Sequence, residues 1–225
     1  MDWFYKNREE RSKWLAERFH AEIKESNSVL DVGCYNADLK VHLPENIQYT
    51  GIDISGKPDL VLNLDAVEKL PFDTDAFDMV VCADVLEHLE NIHLIFDELC
   101  RVSSKYVIIT LPNPFSELIN HMRKKKYAKT TTERINHGKY GKFYGLPLEK
   151  PDDRHRWFFS YDEAQEFIEY RASKCGMEIV VVENETRYLK RNLIKKTVYA
   201  LLKRYNSNLV PKHMIFLLKK QVHVS

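Results

Sequence analysis

The chain contains no C-x-x-C pair. Its four cysteines, Cys34, Cys82, Cys100 and Cys175, stand far apart, which excludes the common zinc and dithiol redox patterns. Cys34 and Cys82 sit in or beside apolar runs, as small buried residues do, and a reducing, cytoplasmic setting is expected. No apolar run approaches the ~20 residues that a membrane-spanning helix needs. The opening MDWFYKNREERSKW lacks the apolar core of a secretory signal. Repeats and low-complexity tracts are absent, and a formal net charge of +1 singles out no partner by itself. Glycine is scarce, with seven in 225 residues, and the scarcity matters most at residues 29–40, VLDVGCYNADLK. An apolar run, Asp31 and Gly33 stand there where a strand turns toward a helix. The further glycines of a G-x-G-x-x-G turn are missing, and Tyr35 and Ala37 occupy that region. The loop offers Cys-Tyr-Asn where a pyrophosphate would want a small, glycine-rich turn, which makes an NAD oxidoreductase the least favoured reading.

What is present is an alternation of strands and helices. Residues 3–25 read as a helix, with Leu15, Phe19 and Ile23 at helical spacing. SVLDV, IQYTGIDI, the shorter DLVLNL, FDMVVCA and KYVIITL read as five strands. A short helix is expected at 37–43, where Asn36 is the residue suited to a left-handed turn. Ile92, Ile95, Phe96, Leu99 and Cys100 follow a helical pattern. Pro112 and Pro114 end the fifth strand. Ser160 with Glu163 makes a capping box for a helix that stops at Gly176. MEIVVVEN and HMIFLLKK complete the strands.

This order predicts one α/β domain over residues 1–225, with a Rossmann-like, doubly wound, mostly parallel seven-stranded sheet and helices on both faces. Residues 1–26 hold the N-terminal helix and 27–111 the cofactor-binding half. Residues 112–160 form an insertion or substrate lid after the fifth strand, because they show no sustained period. Residues 161–225 complete the sheet and include a basic helix at 187–205.

In such sheets ligands bind beyond the carboxyl ends of the strands, at the point where strand order reverses. Asp53 closes the second strand, 20 residues after Gly33, and an acid there suits the two hydroxyls of a ribose. The run LDAVEKLPFDTDAFDMVVCADVLEHL follows. Taken with VLDVGC and GIDIS, it resembles the class I S-adenosylmethionine-dependent methyltransferases, in the type 11-like group. The resemblance is closest over residues 27–114 and looser beyond.

It implies S-adenosylmethionine as cofactor. Asp31, Gly33 and Cys34 would lie beneath the methionine part, with Tyr35 pointing outward or lying over it. Asp53 would bind the ribose and Ile54 would pack on adenine. Asp65 would accept from the adenine amino group, and Ala66 would offer its backbone N–H. Cys82 and Ala83 would lie near the sulfonium. Residues 51–100, rich in acids with only Lys57 and Lys69 opposing them, would give a net acidic rim to suit that cation.

Methyl transfer requires attack geometry, and a hydroxyl acceptor also needs a base. The candidates are His88, Asp84 and, from the insertion, His155. The D-x-x-E-H cluster at 84–88 also has metal-ligating chemistry, but its spacing matches no recognised all-protein site and no metal is assigned. Within DRHRWFF, Arg154 and Arg156 suit an anionic acceptor. Trp157 and the upstream Tyr144 suit sugar or base faces. This stretch is similar, more loosely, to methyltransferases that accompany surface-glycan synthesis, implying a small-molecule, sugar or glycan hydroxyl as acceptor.

Two alternatives stay open at this level. One is a nucleic-acid methyltransferase using the basic insertion, although CADV stands where an N-P-P-[YF] motif would be. The other is a binding module that has lost its cofactor. The basic helix at 187–205 suits packing on the domain, a dimer contact or an anionic membrane surface, and packing is favoured. The oligomeric state is left open.

Overall fold

The computed structural model describes residues 5, 7–123, 148, 154–184 and 213–221. Tyr144 and the basic segment 187–205 lie outside them, as does most of the insertion. Seven strands form one sheet: β1 (Ser28–Val32), β2 (Gln48–Asp53), β3 (Leu60–Val61), β4 (Phe77–Ala83), β5 (Ser103–Pro112), β6 (Met177–Asn184) and β7 (His213–Lys220). Their order is β3-β2-β1-β4-β5-β7-β6. Strands β1 to β5 run parallel, and β7 is antiparallel to both β5 and β6. The chain winds outward from β1 to β3 and then returns to lay β4 beside β1. That reversal opens a crevice at the carboxyl ends of β1 and β4.

The two-residue side-chain period of the strands feeds two cores. Leu30, Val32, Val80 and Cys82 face the layer of α3 (Ile92–Val102) and the last described helix. Val29, Met79, Val81 and Ala83 face α1 (Arg8–Arg18) and α2 (His20–Lys24). Asp31 shares the face of Val29 and therefore points toward α1. With Phe96 and Leu99 of α3 fully buried, each such side chain contributes about 1.5–3 kcal/mol. A clamp fixes the LPF turn to α3. Glu98 accepts from Leu70 N (2.7 Å) and from Arg101, whose guanidinium also donates to the Leu70 and Phe72 carbonyls.

Several elements differ from the sequence expectation. The N-terminal helix breaks at Phe19, which is wholly buried and stacks edge-on against Trp14 at 6.3 Å. Residues 37–43 form turns and a 3-10 segment, Lys40–His42, instead of an α-helix. The third strand is only two residues long. Pro114 starts helix α4 (Pro114–Arg123) instead of merely ending β5. Proline suits a first helical position because its missing N–H would have no intrahelical partner there, and Asn113 Oδ1 accepts from Ser116 N at 3.2 Å. Helix α5 (Tyr161–Lys174) carries the expected capping box at Ser160 and Glu163, and Gly176 beyond it has φ +69°. Among the described residues no helix is long and apolar enough to cross a membrane.

Candidate functional site

The crevice is a cavity of about 320 Å³. One side comes from the strand ends and the turns after them: Gly33, Tyr35, Asp53, Ile54, Asp65 and Ala83. The other side comes from Asp84, Val85, His88 and Leu89 after β4, and from Arg154 and Arg156 of the segment leading to α5. Arg8 of α1 closes one end.

The turn after β1 solves its shortage of glycine by clamping. Gly33 has φ +77°, and a Cβ there would come within 2.2 Å of Val85 Cγ2. Tyr35 (φ +49°) and Ala37 (φ +59°) also adopt the left-handed conformation, which costs a non-glycine residue about 1–2 kcal/mol. Asn36, the expected turning residue, does not adopt it. Tyr35 is held by its backbone: its N–H donates to Asp53 Oδ2 (2.8 Å) and its carbonyl accepts from Lys57 N (2.6 Å). Its ring is 40% exposed at the rim, with the Arg8 guanidinium 4.9 Å from its centroid. The ring therefore borders the cavity without filling it.

Asp53 accepts one backbone N–H on each oxygen, from Tyr35 and from Ser55 (2.9 Å). Each oxygen retains lone-pair capacity toward the cavity. Ile54, Leu64 and Leu89 make an apolar slot beside it, and Asp65 lies at the slot's edge. Asp65 Oδ1 is already engaged by Glu90 N at 2.9 Å, which fixes the carboxylate. These residues fit an adenosine: a carboxylate for a diol, an apolar slot for a base, and an acceptor for its edge. Arg8 is a cation suited to the carboxylate of an attached amino acid.

Other expected residues are placed differently. Cys82 is fully buried in the sheet core, and only its neighbour Ala83 reaches the cavity. Ala66 donates its N–H to Asn63 O at 3.0 Å and lies off the wall. Asp31 and Cys34 line a narrow adjoining cleft that shares Gly33 and Ala83 with the main cavity. Burial pushes the Asp31 carboxyl up to about 6, partly offset by the Tyr49 hydroxyl that donates to it at 2.8 Å. Burial also raises the Cys34 thiol to about 12 and Cys82 well above its ordinary value. Neither thiol is suited to nucleophilic work. The rim is also less acidic than expected, because Arg8, Arg154 and Arg156 stand against Asp53, Asp65 and Asp84.

Asp84 is an ion-pair strut. It has φ +53°, and its carboxylate accepts from Arg11 at 2.5 Å and from Thr110 Oγ1 at 2.6 Å. Burial alone would raise its pKa, but Arg11, His213 and Thr110 together hold it at about 2. A carboxylate so committed is a poor general base, which removes Asp84 from the candidate bases.

Glu87, His88 and His155 come together instead. Glu87 is 1% exposed, and burial with Asp84 nearby keeps its carboxyl well above the usual range. Its Oε1 lies 3.7 Å from His88 Nε2 and 3.9 Å from His155 Nε2. The two imidazoles meet edge to face at 4.6 Å. The segment carrying His155 is zipped onto the turn by three bonds. Arg156 N donates to Glu87 O (2.8 Å), Arg156 Nε to His88 O (3.2 Å) and Trp157 Nε1 to Leu89 O (2.7 Å). Trp157 thereby faces a separate apolar pocket with Phe158 and Phe167. Sequence reasoning singled out Asp84 and His155 but left out Arg8, Arg11 and Leu89. Arg8 and Arg11 carried no signal beyond lying on a charged helix.

A family model described as a methyltransferase domain matches residues 4–168. No curated protein matches the chain. Among solved structures, a SAM-dependent methyltransferase from Archaeoglobus fulgidus is 19% identical, with 95% of each chain covered and a TM-score of 0.58. One from Methanosarcina mazei is 15% identical over 99% of this chain and 100% of that one, with a TM-score of 0.56. Magnesium protoporphyrin IX methyltransferase from Synechocystis PCC 6803, solved with bound SAH, is 12% identical over 97% and 90%, with a TM-score of 0.51.

Proposed function

The chain belongs to the methyltransferase-domain family and takes S-adenosylmethionine as its cofactor, and from that premise we propose that it methylates a hydroxyl of a small molecule, sugar or glycan. The observation that carries this reading is the single cavity with two unlike walls. The strand-end wall suits the donor. The facing wall brings His88, Arg154 and Arg156 to the same space.

When bound, S-adenosylmethionine supplies a methyl group activated by its sulfonium. Asp53, Ile54 and Asp65 would hold the adenosine part, and Arg8 would meet the carboxylate of the methionine part. Gly33, kept without a side chain by Val85, would leave room for it. Arg154 and Arg156 orient an acceptor that carries phosphate or carboxylate, since guanidinium pairs bidentately with either. The Glu87, His88 and His155 corner stands beside the acceptor hydroxyl, and of the three His88 reaches the cavity wall. Tyr144, expected on the acceptor side, lies outside the described residues. A cytoplasmic location accords with the free cysteines.

The test is transfer of a labelled methyl group from S-adenosylmethionine into sugars, nucleotide sugars, glycans, nucleic acid and amines. Label in a base-stable ether of a sugar supports the reading. Label only in nucleic acid or in nitrogen overturns it.

A further inference from the structure

We propose that Glu87, His88 and His155 form a binding site for one divalent first-row cation of the manganese-to-zinc series, opening onto the acceptor side of the cavity. This inference rests on the hydroxyl-acceptor reading for its purpose, but its geometry stands apart from it.

The three residues each offer one ligand atom, and those atoms lie within 4.8 Å of one another. Around a cation at about 2.0–2.2 Å, ligand atoms stand roughly 3.0–3.5 Å apart, so side-chain rotations of under about 1 Å would complete the set. Glu87 provides a second observation. Its Oε2 is buried and receives no hydrogen bond, and leaving a buried carboxyl oxygen unsatisfied is costly. A cation on that carboxylate offsets the cost. The zipper from Arg156 and Trp157 to the carbonyls of Glu87, His88 and Leu89 fixes His155 over the turn, so the ligand set is organised before any ligand arrives.

Two imidazoles and one carboxylate favour manganese, iron, cobalt or zinc over magnesium and calcium, which prefer all-oxygen shells. Three protein ligands leave positions open. His88 lines the cavity, so those positions face the acceptor. A hydroxyl oxygen bound there loses its proton to solvent more readily. Its lone pair then forms the O–CH3 bond as the S–CH3 bond breaks, leaving S-adenosylhomocysteine. Asp84 takes no part, because Arg11 and Thr110 occupy its carboxylate.

The test uses the full chain stripped with a chelator. Co2+ absorption and the Mn2+ paramagnetic resonance signal are followed on titration, with Mg2+ as competitor. The expected result is one equivalent bound, with a cobalt spectrum of nitrogen and oxygen ligation and no thiolate band. Binding should weaken at least roughly 30-fold in His155→Ala and in Glu87→Gln, and stay unchanged in His20→Ala on α2. Thermal unfolding of each variant separates lost ligation from lost fold. No stoichiometric binding to the wild type up to about 1 mM cation, or binding that survives in both folded variants, overturns the proposal. Stabilisation by S-adenosylhomocysteine in chelator, measured separately, reads the donor wall. A metal failure with intact donor binding therefore leaves the methyltransferase reading standing.

Discussion

The two walls of the cavity are built in different ways. The proposed donor wall is made of strand ends and the turns that follow them, with Gly33, Asp53, Ile54 and Asp65 within one stretch of chain. The acceptor wall joins the turn after β4 to a segment about seventy residues later, through Arg156 and Trp157 donating to three consecutive carbonyls. The first wall is local and follows from the fold. The second is an assembly of distant pieces, so a change on one piece disturbs the chemistry of the other. Two aspartates, one half-buried and one buried, make the same contrast. Asp84 is satisfied by Arg11 and Thr110, whereas Asp31 has one hydroxyl partner and is pushed up to about 6.

The largest effect should come from Arg11→Met, which leaves the half-buried Asp84 beside Glu87 without the buried Arg11 guanidinium. Loss of one partner of a buried pair costs about 3–5 kcal/mol, readable by denaturant unfolding. The pH dependence should change with it. Asp84 titrates at about 2 in the fold against an ordinary 3.8. Its contribution is therefore complete above about pH 4 and lost as pH falls toward 2. That acid-linked loss should vanish in the variant. Retention of wild-type stability would mean the strut is idle.

Next comes Gly33→Ala, where strain and a Cβ 2.2 Å from Val85 Cγ2 act together. A cost of about 3 kcal/mol is expected. Gly176→Ala, with similar φ and open space around it, should cost only about 1–2 kcal/mol. Equal costs would show that close packing against the acceptor turn contributes nothing.

Asp53→Ala should weaken S-adenosylhomocysteine binding by about 2 kcal/mol, roughly 30-fold in Kd by calorimetry. Arg156→Ala should leave that Kd within about 2-fold while loosening the acceptor wall. Equal effects from both would erase the distinction between the walls.

The smallest effect is a gain. Asp31→Asn keeps an acceptor for Tyr49 and removes a carboxyl whose pKa is raised to about 6. An acid raised on folding costs stability above that pKa and is relieved as pH falls below its ordinary value. The variant should be more stable at pH 8 by on the order of 1–2 kcal/mol, and unchanged at pH 4. A loss at pH 8 would mean that Asp31 is paired more fully than its one hydroxyl suggests.

The alternation of strands and helices was legible because each strand carries a continuous apolar run and the helices carry a 3.6-residue period. That Gly33, Asp53, Ile54 and Asp65 would gather at one cavity was legible too, since strand ends lie at fixed sequence spacings. What failed was detail that neighbours in space decide. Cys82 and Ala83 are adjacent, but the pleat sends one into the core and the other to the cavity. Ala66 spends its N–H on Asn63, a local turn bond that propensity does not reveal. Asn36 was the better left-handed residue by preference, yet a hydrogen bond donated to Asp53 and one accepted from Lys57 hold Tyr35 in that conformation.

By itself, then, the sequence determined the sheet, its order of elements and the gathering of strand-end residues at one cavity, because periodicity and strand ends are local properties. Only the tertiary structure decided which groups face one another across the cavity. It paired Asp84 with Arg11 from the first helix, and it brought His155 to Glu87 and His88 from the far end of the insertion. Such pairings depend on which surfaces the two cores bury, and no linear spacing records them.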